Sequence, residues 1–144
     1  MALKTLLIDT GPLVAYLDRA DQEHDRVAPV IDAFRGTLCT TGAVITEAMH
    51  LLKHDRNGPR RLAEFVQAAG VHVFESTQPH QLFSAASLME KYSDTPMDFA
   101  DATLVLLGNE AGINQIVTLD RRGFRSFRTA KGKPFEILPR RDST

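Results

Sequence analysis

A single cysteine, Cys39, stands in the whole chain, so no internal disulfide can form and a secreted disulfide scaffold is excluded. A lone thiol agrees with a reducing compartment, and a cytoplasmic location is expected. No apolar run approaches the roughly 18 to 20 residues of a membrane span. The early "LLI" run is cut by Asp9, and the long apolar stretch of a secretory signal is missing. There is no P-loop and no G-x-G-x-x-G, which leaves nucleotide binding without support. Internal repeats, low-complexity tracts and Gly/Ser linkers are also lacking, so one domain over residues 1–144 is expected. What is present is ordinary globular composition, 43% hydrophobic and 24% charged over 144 residues, which argues against disorder.

The net charge of −1 hides a split. From Arg121 onward there are eight Lys or Arg against Glu136 and Asp142, a net +6, whereas the preceding stretch carries nine basic and sixteen acidic residues, a net −7. An acidic body with a basic end suits a metal in one place and a polyanion nearby, and equally a solvated charged tail.

Apolar runs alternate with amphipathic ones. "LKTLLID", "TLCTT", "VHVFE", "NQIVTL" and "PFEILP" read as strands. "GPLVAYLD", "GAVITEAMHLLKH", "PRRLAEFVQAAG", "PHQLFSAASLMEKY" and "DFADATLVLLGNEAG" read as helices, with Gly70 and Gly112 as stops. "DQEHDRVAPVIDAF" is mostly helical, with Pro29 expected to interrupt it or start a segment. Alternating strands and helices predict an α/β fold of three layers, α/β/α, around a mostly parallel sheet of four to five strands.

In such a sheet, ligands sit beyond the carboxyl ends of the strands. Asp9 ends the first strand and Asp120 ends "QIVTL". Glu47 lies early in the helix after "TLCTT", while Asp98 and Asp101 open the helix that leads into "QIVTL". Taken singly, Asp9, Asp120 and the Asp98/Asp101 pair fit helix caps. Glu47 is harder to place so, because Ala43, Val44, Ile45, Ala48, Met49, Leu51 and Leu52 crowd its helix. Capping does not explain why acids from four separated segments meet at one sheet edge. Carboxylates that close repel one another unless a cation lies between them, and Mg²⁺ or Mn²⁺ prefers such all-oxygen sites.

With these residues in view, the chain resembles PIN-domain proteins of the kind found as VapC-type toxins in toxin–antitoxin pairs. The matching pieces are "LLIDTGPLVAYLD", "VITEAMHLL" and "DTPMDFADATLVLLGNEAGINQIVTLDRRGF". The resemblance implies a PIN-like fold and a Mg²⁺- or Mn²⁺-dependent endoribonuclease acting on single-stranded or looped RNA. It makes Asp9, Glu47, Asp101 and Asp120 the catalytic set and Asp9, Asp98, Asp101 and Asp120 the metal acids, with the Thr118 hydroxyl supporting them. It also implies a small cognate antitoxin that blocks the site and a homodimer; the lack of a long apolar run predicts no membrane association. Arg121, Arg125 and Arg128, spaced i, i+4, i+7, suggest a basic helical face beside Asp120. With Arg122, Lys131 and Lys133 they are candidates for gripping an RNA backbone.

Other signals point to packing. Glu47 and His50 form one E-x-x-H and His54 follows, but no second motif completes a zinc or di-iron set. Cys39 reads as a small buried hydrophobe, and Phe124, Phe127 and Phe135 as core rather than base-stacking groups. The competing assignments are a non-catalytic PIN-like binding module with a structural metal, and a phosphorylated receiver-like domain. The latter needs two acids after its first strand, where "IDTGP" has one.

Overall fold

The computed structural model describes residues 4–141. Five strands and seven helices alternate: β1 (Thr5–Ile8), α1 (Thr10–Leu17), α2 (His24–Ala33), β2 (Thr37–Thr41), α3 (Gly42–Leu52), α4 (Gly58–Ala69), β3 (His72–Phe74), α5 (Pro79–Lys91), α6 (Phe99–Ala111), β4 (Gln115–Val117), α7 (Arg121–Ser126) and β5 (Glu136–Leu138). The strands form one sheet in the order β3-β2-β1-β4-β5, and every neighbouring pair is parallel. Leu6, Leu7 and Ile8 are fully buried in succession. Consecutive strand side chains face opposite sides of a sheet, so β1 is covered on both faces, as the three-layer α/β/α arrangement requires.

Register ties the central strands together. Leu7 of β1 lies opposite Cys39 of β2 on one side and Ile116 of β4 on the other. The core continues from these strands into Leu13, Val27, Val44, Leu62 and Leu104 of the surrounding helices. Phe124, Phe127 and Phe135 pack edge to face beneath α7, with ring centroids 5.1 and 5.7 Å apart, so these rings serve the core. Cys39 is buried in β2.

The chain leaves β1 toward β2 and β3 on one side and returns to β4 and β5 on the other. β1 and β4 therefore flank a topological switch point, the place where open α/β sheets bind ligands beyond their carboxyl ends. Helix boundaries follow local chemistry: Gly70 and Gly112 end α4 and α6 in the left-handed conformation that glycine adopts without penalty.

Two sequence expectations are corrected. Pro29 neither breaks nor starts a helix but lies inside α2. Its exposed position puts the ring toward solvent, and the carbonyl of exposed Asp25, left without an intrahelical donor, can be hydrated. The second concerns Arg128. α7 ends at Ser126, so Arg128 lies beyond the helix and off the face that carries Arg121 and Arg125.

Candidate active site

Asp9 follows β1 directly and caps α1, its own N–H bonded to the carbonyl of Val117 in β4 at 3.0 Å. Its carboxylate, only 8% exposed, accepts from the Thr10 N–H and from the Thr118 hydroxyl, both at 2.8 Å. Thr118 is fully buried, and its Oγ1 also accepts the Asp120 N–H at 3.0 Å. One hydroxyl thus links the acids at the ends of β1 and β4.

Asp120 caps α7 by accepting the Gly123 N–H at 3.1 Å. Gly123 is needed for this approach, because a Cβ there would lie 2.5 Å from Asp120 Oδ2. Asp98 and Asp101 form a reciprocal capping box at the start of α6: Asp98 Oδ1 accepts the Asp101 N–H at 2.8 Å, and Asp101 Oδ2 accepts the Asp98 N–H at 3.2 Å. Glu47 projects half-buried from α3. The capping explanation for the aspartates holds, and it holds together with their convergence.

Electrostatics shows that convergence. The Asp9 carboxyl is pushed up chiefly by burial and also by the charges of Asp98 and Asp120, against the lowering effect of the Thr118 and Thr10 hydrogen bonds. Asp101, 9% exposed, is raised to about 8 by burial and then by Asp98, Asp9 and Asp120. Burial, followed by Asp98 and Asp9, raises Glu47. Asp9 and Asp101 thus each feel Asp98 and Asp120, and Glu47 feels Asp98 and Asp9, which brings five carboxylates into one neighbourhood. The ion pairs among the described residues, Arg26–Glu23 and Arg140–Glu136, leave all five uncompensated.

Among the described residues, no three of these groups converge on a ready-made coordination sphere. The capping bonds fix the carboxylates of Asp9, Asp98, Asp101 and Asp120 at their own helix starts. The donor set nonetheless fits a hard divalent ion: every donor is a carboxylate oxygen, and Oδ2 of Asp98, Oδ1 of Asp101 and Oδ2 of Asp120 are not used in the capping bonds.

The PIN domain family model matches residues 6–130. The chain belongs to the PIN-domain family. It is 30% identical over 135 residues to Ribonuclease VapC26 of Mycobacterium tuberculosis, spanning 93% of this chain and all of that relative. Among solved structures it resembles VapC20 of Mycobacterium tuberculosis, described as a sarcin-ricin loop cleaving toxin, with a TM-score of 0.71 at 18% identity over 77% of this chain and 86% of that one. It also resembles FitAB bound to a DNA fragment, with a TM-score of 0.60 at 16% identity over 83% and 87% of the two chains. At these identities the two structures speak for the fold.

The basic side of this PIN domain differs from the face read in the sequence. The Arg121 guanidinium is half-buried and donates to the Pro139 carbonyl at 2.6 Å. Burial, with the nearby charges of Arg141, Arg125 and Arg26, makes its protonated form less favourable than usual. Arg26 of α2 and Arg141 after β5 thus join Arg121 and Arg125. Sequence spacing missed both because they reach the patch from distant segments. Arg122 is exposed. The Arg128 guanidinium turns back onto the carbonyls of Arg125 and Phe127, and the Arg128 backbone N–H donates to the Tyr92 hydroxyl. Gly123 was likewise absent from the sequence candidates; the only signal for it was its place three residues after Asp120 in "DRRG".

Proposed function

We propose that this PIN domain, a single domain over residues 1–144, is a metal-dependent endoribonuclease and the toxin of a toxin–antitoxin pair. The observation that carries this is the gathering at the β1/β4 switch point of acids from separate segments, Asp9 and Asp101 among them buried, with no ion pair to any of them among the described residues. The match to a ribonuclease relative over nearly the whole chain supports it.

Asp9, Asp98, Asp101 and Asp120 would hold Mg²⁺ or Mn²⁺, which when bound supplies polarisation of the scissile phosphate and acidification of a water. Asp9, Asp101, Asp120 and Glu47 form the catalytic set. Glu47 takes the proton of the attacking water, a task suited to a carboxylate whose pKa is raised by burial and by Asp98 and Asp9. Water oxygen bonds to phosphorus in line with the departing 3′-oxygen; the P–O3′ bond breaks and the 3′-oxygen takes a proton from solvent water, leaving a 5′-phosphate and a 3′-hydroxyl, and Glu47 returns its proton to solvent. Thr118 orients Asp9, and Arg121, Arg122 and Arg125, joined by Arg26 and Arg141, grip the RNA backbone. Arg128 contributes only if its guanidinium leaves the carbonyls it now caps. The chain acts in the cytoplasm, as a homodimer held in check by a small antitoxin. No helix of the described residues is long and apolar enough to cross a membrane.

The test is cleavage of a labelled structured RNA by purified, antitoxin-free protein with Mg²⁺, Mn²⁺ or EDTA, beside Asp9→Ala. Metal-dependent cutting that the variant loses is expected. Absence of cutting across several RNA pools, with metal still raising the melting temperature, would favour the non-catalytic binding module.

A further inference from the structure

Two neighbouring hollows lie beside the acids. The first, about 890 Å³, is lined by Glu47 and Asp98 of the acidic cluster, His50, Phe99 and the Phe74–Ser76 segment that follows β3. The second, about 520 Å³, extends toward Thr41, Thr103, His80 and Asn109. Phe74, Glu75 and Ser76 line both.

Two features of this shared wall call for an occupant. Phe74 ends β3, the edge strand of the sheet, and is 37% exposed, which leaves its ring open to a flat partner. Ser76 is only 7% exposed, yet its buried Oγ has no hydrogen-bond partner among the described residues. A buried hydroxyl left unpaired costs free energy, and such groups are uncommon unless a ligand or water completes them. The wall is held in place locally, since Glu75 Oε1 accepts the N–H groups of Ser76 and Thr77 and the Thr77 hydroxyl.

Charge selects the occupant. Glu47 and Asp98 of the first hollow belong to the proposed metal site, where the ion would hold the scissile phosphate; Glu75, on the Phe74–Ser76 wall, lies outside that set, so a second phosphate is repelled at the wall. A neutral, flat group with an aromatic face and a polar edge is not. Phosphates of a bound strand are drawn instead to the arginines beside Asp120. We propose that this groove binds the base of a nucleotide flanking the scissile phosphate, stacked on Phe74 with its polar edge at Ser76 Oγ. This rests on the nuclease assignment and adds a base-binding subsite to it. Every nucleobase has a π-face, so Phe74 supplies affinity, while the hydroxyl, which can donate or accept, satisfies the polar edge of whichever base enters.

The experiment uses a hairpin RNA pool with a randomised loop. A molecule cut by the wild-type protein is resynthesised with an abasic site at each position flanking the cut. Losing one particular base is expected to slow wild-type cleavage roughly five- to hundredfold. Phe74→Ala should lose a similar factor on intact RNA and be indifferent to that same abasic site. Phe74→Trp should retain both the rate and the sensitivity. Mn²⁺ affinity and melting temperature of Phe74→Ala should match wild type. Equal sensitivity of wild type and Phe74→Ala to the abasic site would overturn the proposal. So would a rate loss accompanied by a change in sedimentation, which would make Phe74 a contact between copies of the chain. If the wild-type protein cuts no member of the pool, the nuclease assignment itself fails, and the subsite with it.

Discussion

Thr118 uses one hydroxyl twice, donating to Asp9 and accepting from the Asp120 N–H. Thr118→Val keeps the volume and removes both bonds, so the Asp9 carboxyl should rise further and bind cations less well. Losing a residue that orients a metal ligand typically costs about 10- to 100-fold in metal affinity or activity. Mn²⁺ titration and cleavage rates should both show a loss of that order, with Thr118→Ser restoring most of it; unchanged Mn²⁺ affinity would reduce the hydroxyl to a structural tie. Gly123→Ala tests positioning from the other side. The new Cβ would meet Asp120 Oδ2 at 2.5 Å and push the carboxylate aside. Cleavage and Mn²⁺ affinity should fall, and because the displaced carboxylate also caps α7, chemical denaturation should show a loss of up to about 1 kcal/mol. That Asp9, Asp98, Asp101 and Asp120 lie at strand ends and helix starts was legible in the sequence because those boundaries fix their backbones, whereas Glu47, in the middle of α3, stood out only by its apolar neighbours. Gly123 was not legible, since its role depends on how the Asp120 carboxylate folds back over α7. Arg26 and Arg141 were hidden for another reason: only the tertiary fold brings them to Arg121.

At the scale of the element, Asp98 both starts α6 and charges the site. Asp98→Asn keeps an acceptor for the Asp101 N–H but removes a negative charge, so stability should hold while cleavage drops. Asp98→Ala loses the cap as well and should cost about 1 kcal/mol in chemical denaturation. Equal stability losses in the two variants would mean that the carboxylate charge, not the acceptor, anchors the helix. The pattern of elements was readable because apolar periodicity and the terminal glycines agree with the tertiary fold. Pro29 defied that pattern through its exposure, which lets water serve the carbonyl that its missing N–H abandons. The i, i+4, i+7 arginine face failed at its last member because α7 stops at Ser126 and Phe127 turns into the core.

For the whole molecule, the uncompensated acids govern stability against pH. Asp101 titrates near 8 in the folded chain, against an ordinary value of 3.8. Between those values the native state keeps a proton that the unfolded chain has released, so metal-free protein should lose stability as pH rises through this window. Denaturation midpoints in EDTA should therefore fall from pH 5 to pH 8. Millimolar Mg²⁺ or Mn²⁺, binding the folded form, should reverse the fall most strongly at the alkaline end. A midpoint indifferent to both pH and metal would contradict the crowding of carboxylates at the switch point.

The double duty of Asp9, Asp98 and Asp120, as helix caps and as the proposed metal acids, has a genetic consequence. A cell escaping the activity of this chain by substituting one of them with a non-capping residue also weakens a helix start. Such survivors should accumulate less protein and leave less of it to engage an antitoxin. Stable but silent copies should arise mainly by Asp-to-Asn changes, or at Glu47, which caps no helix.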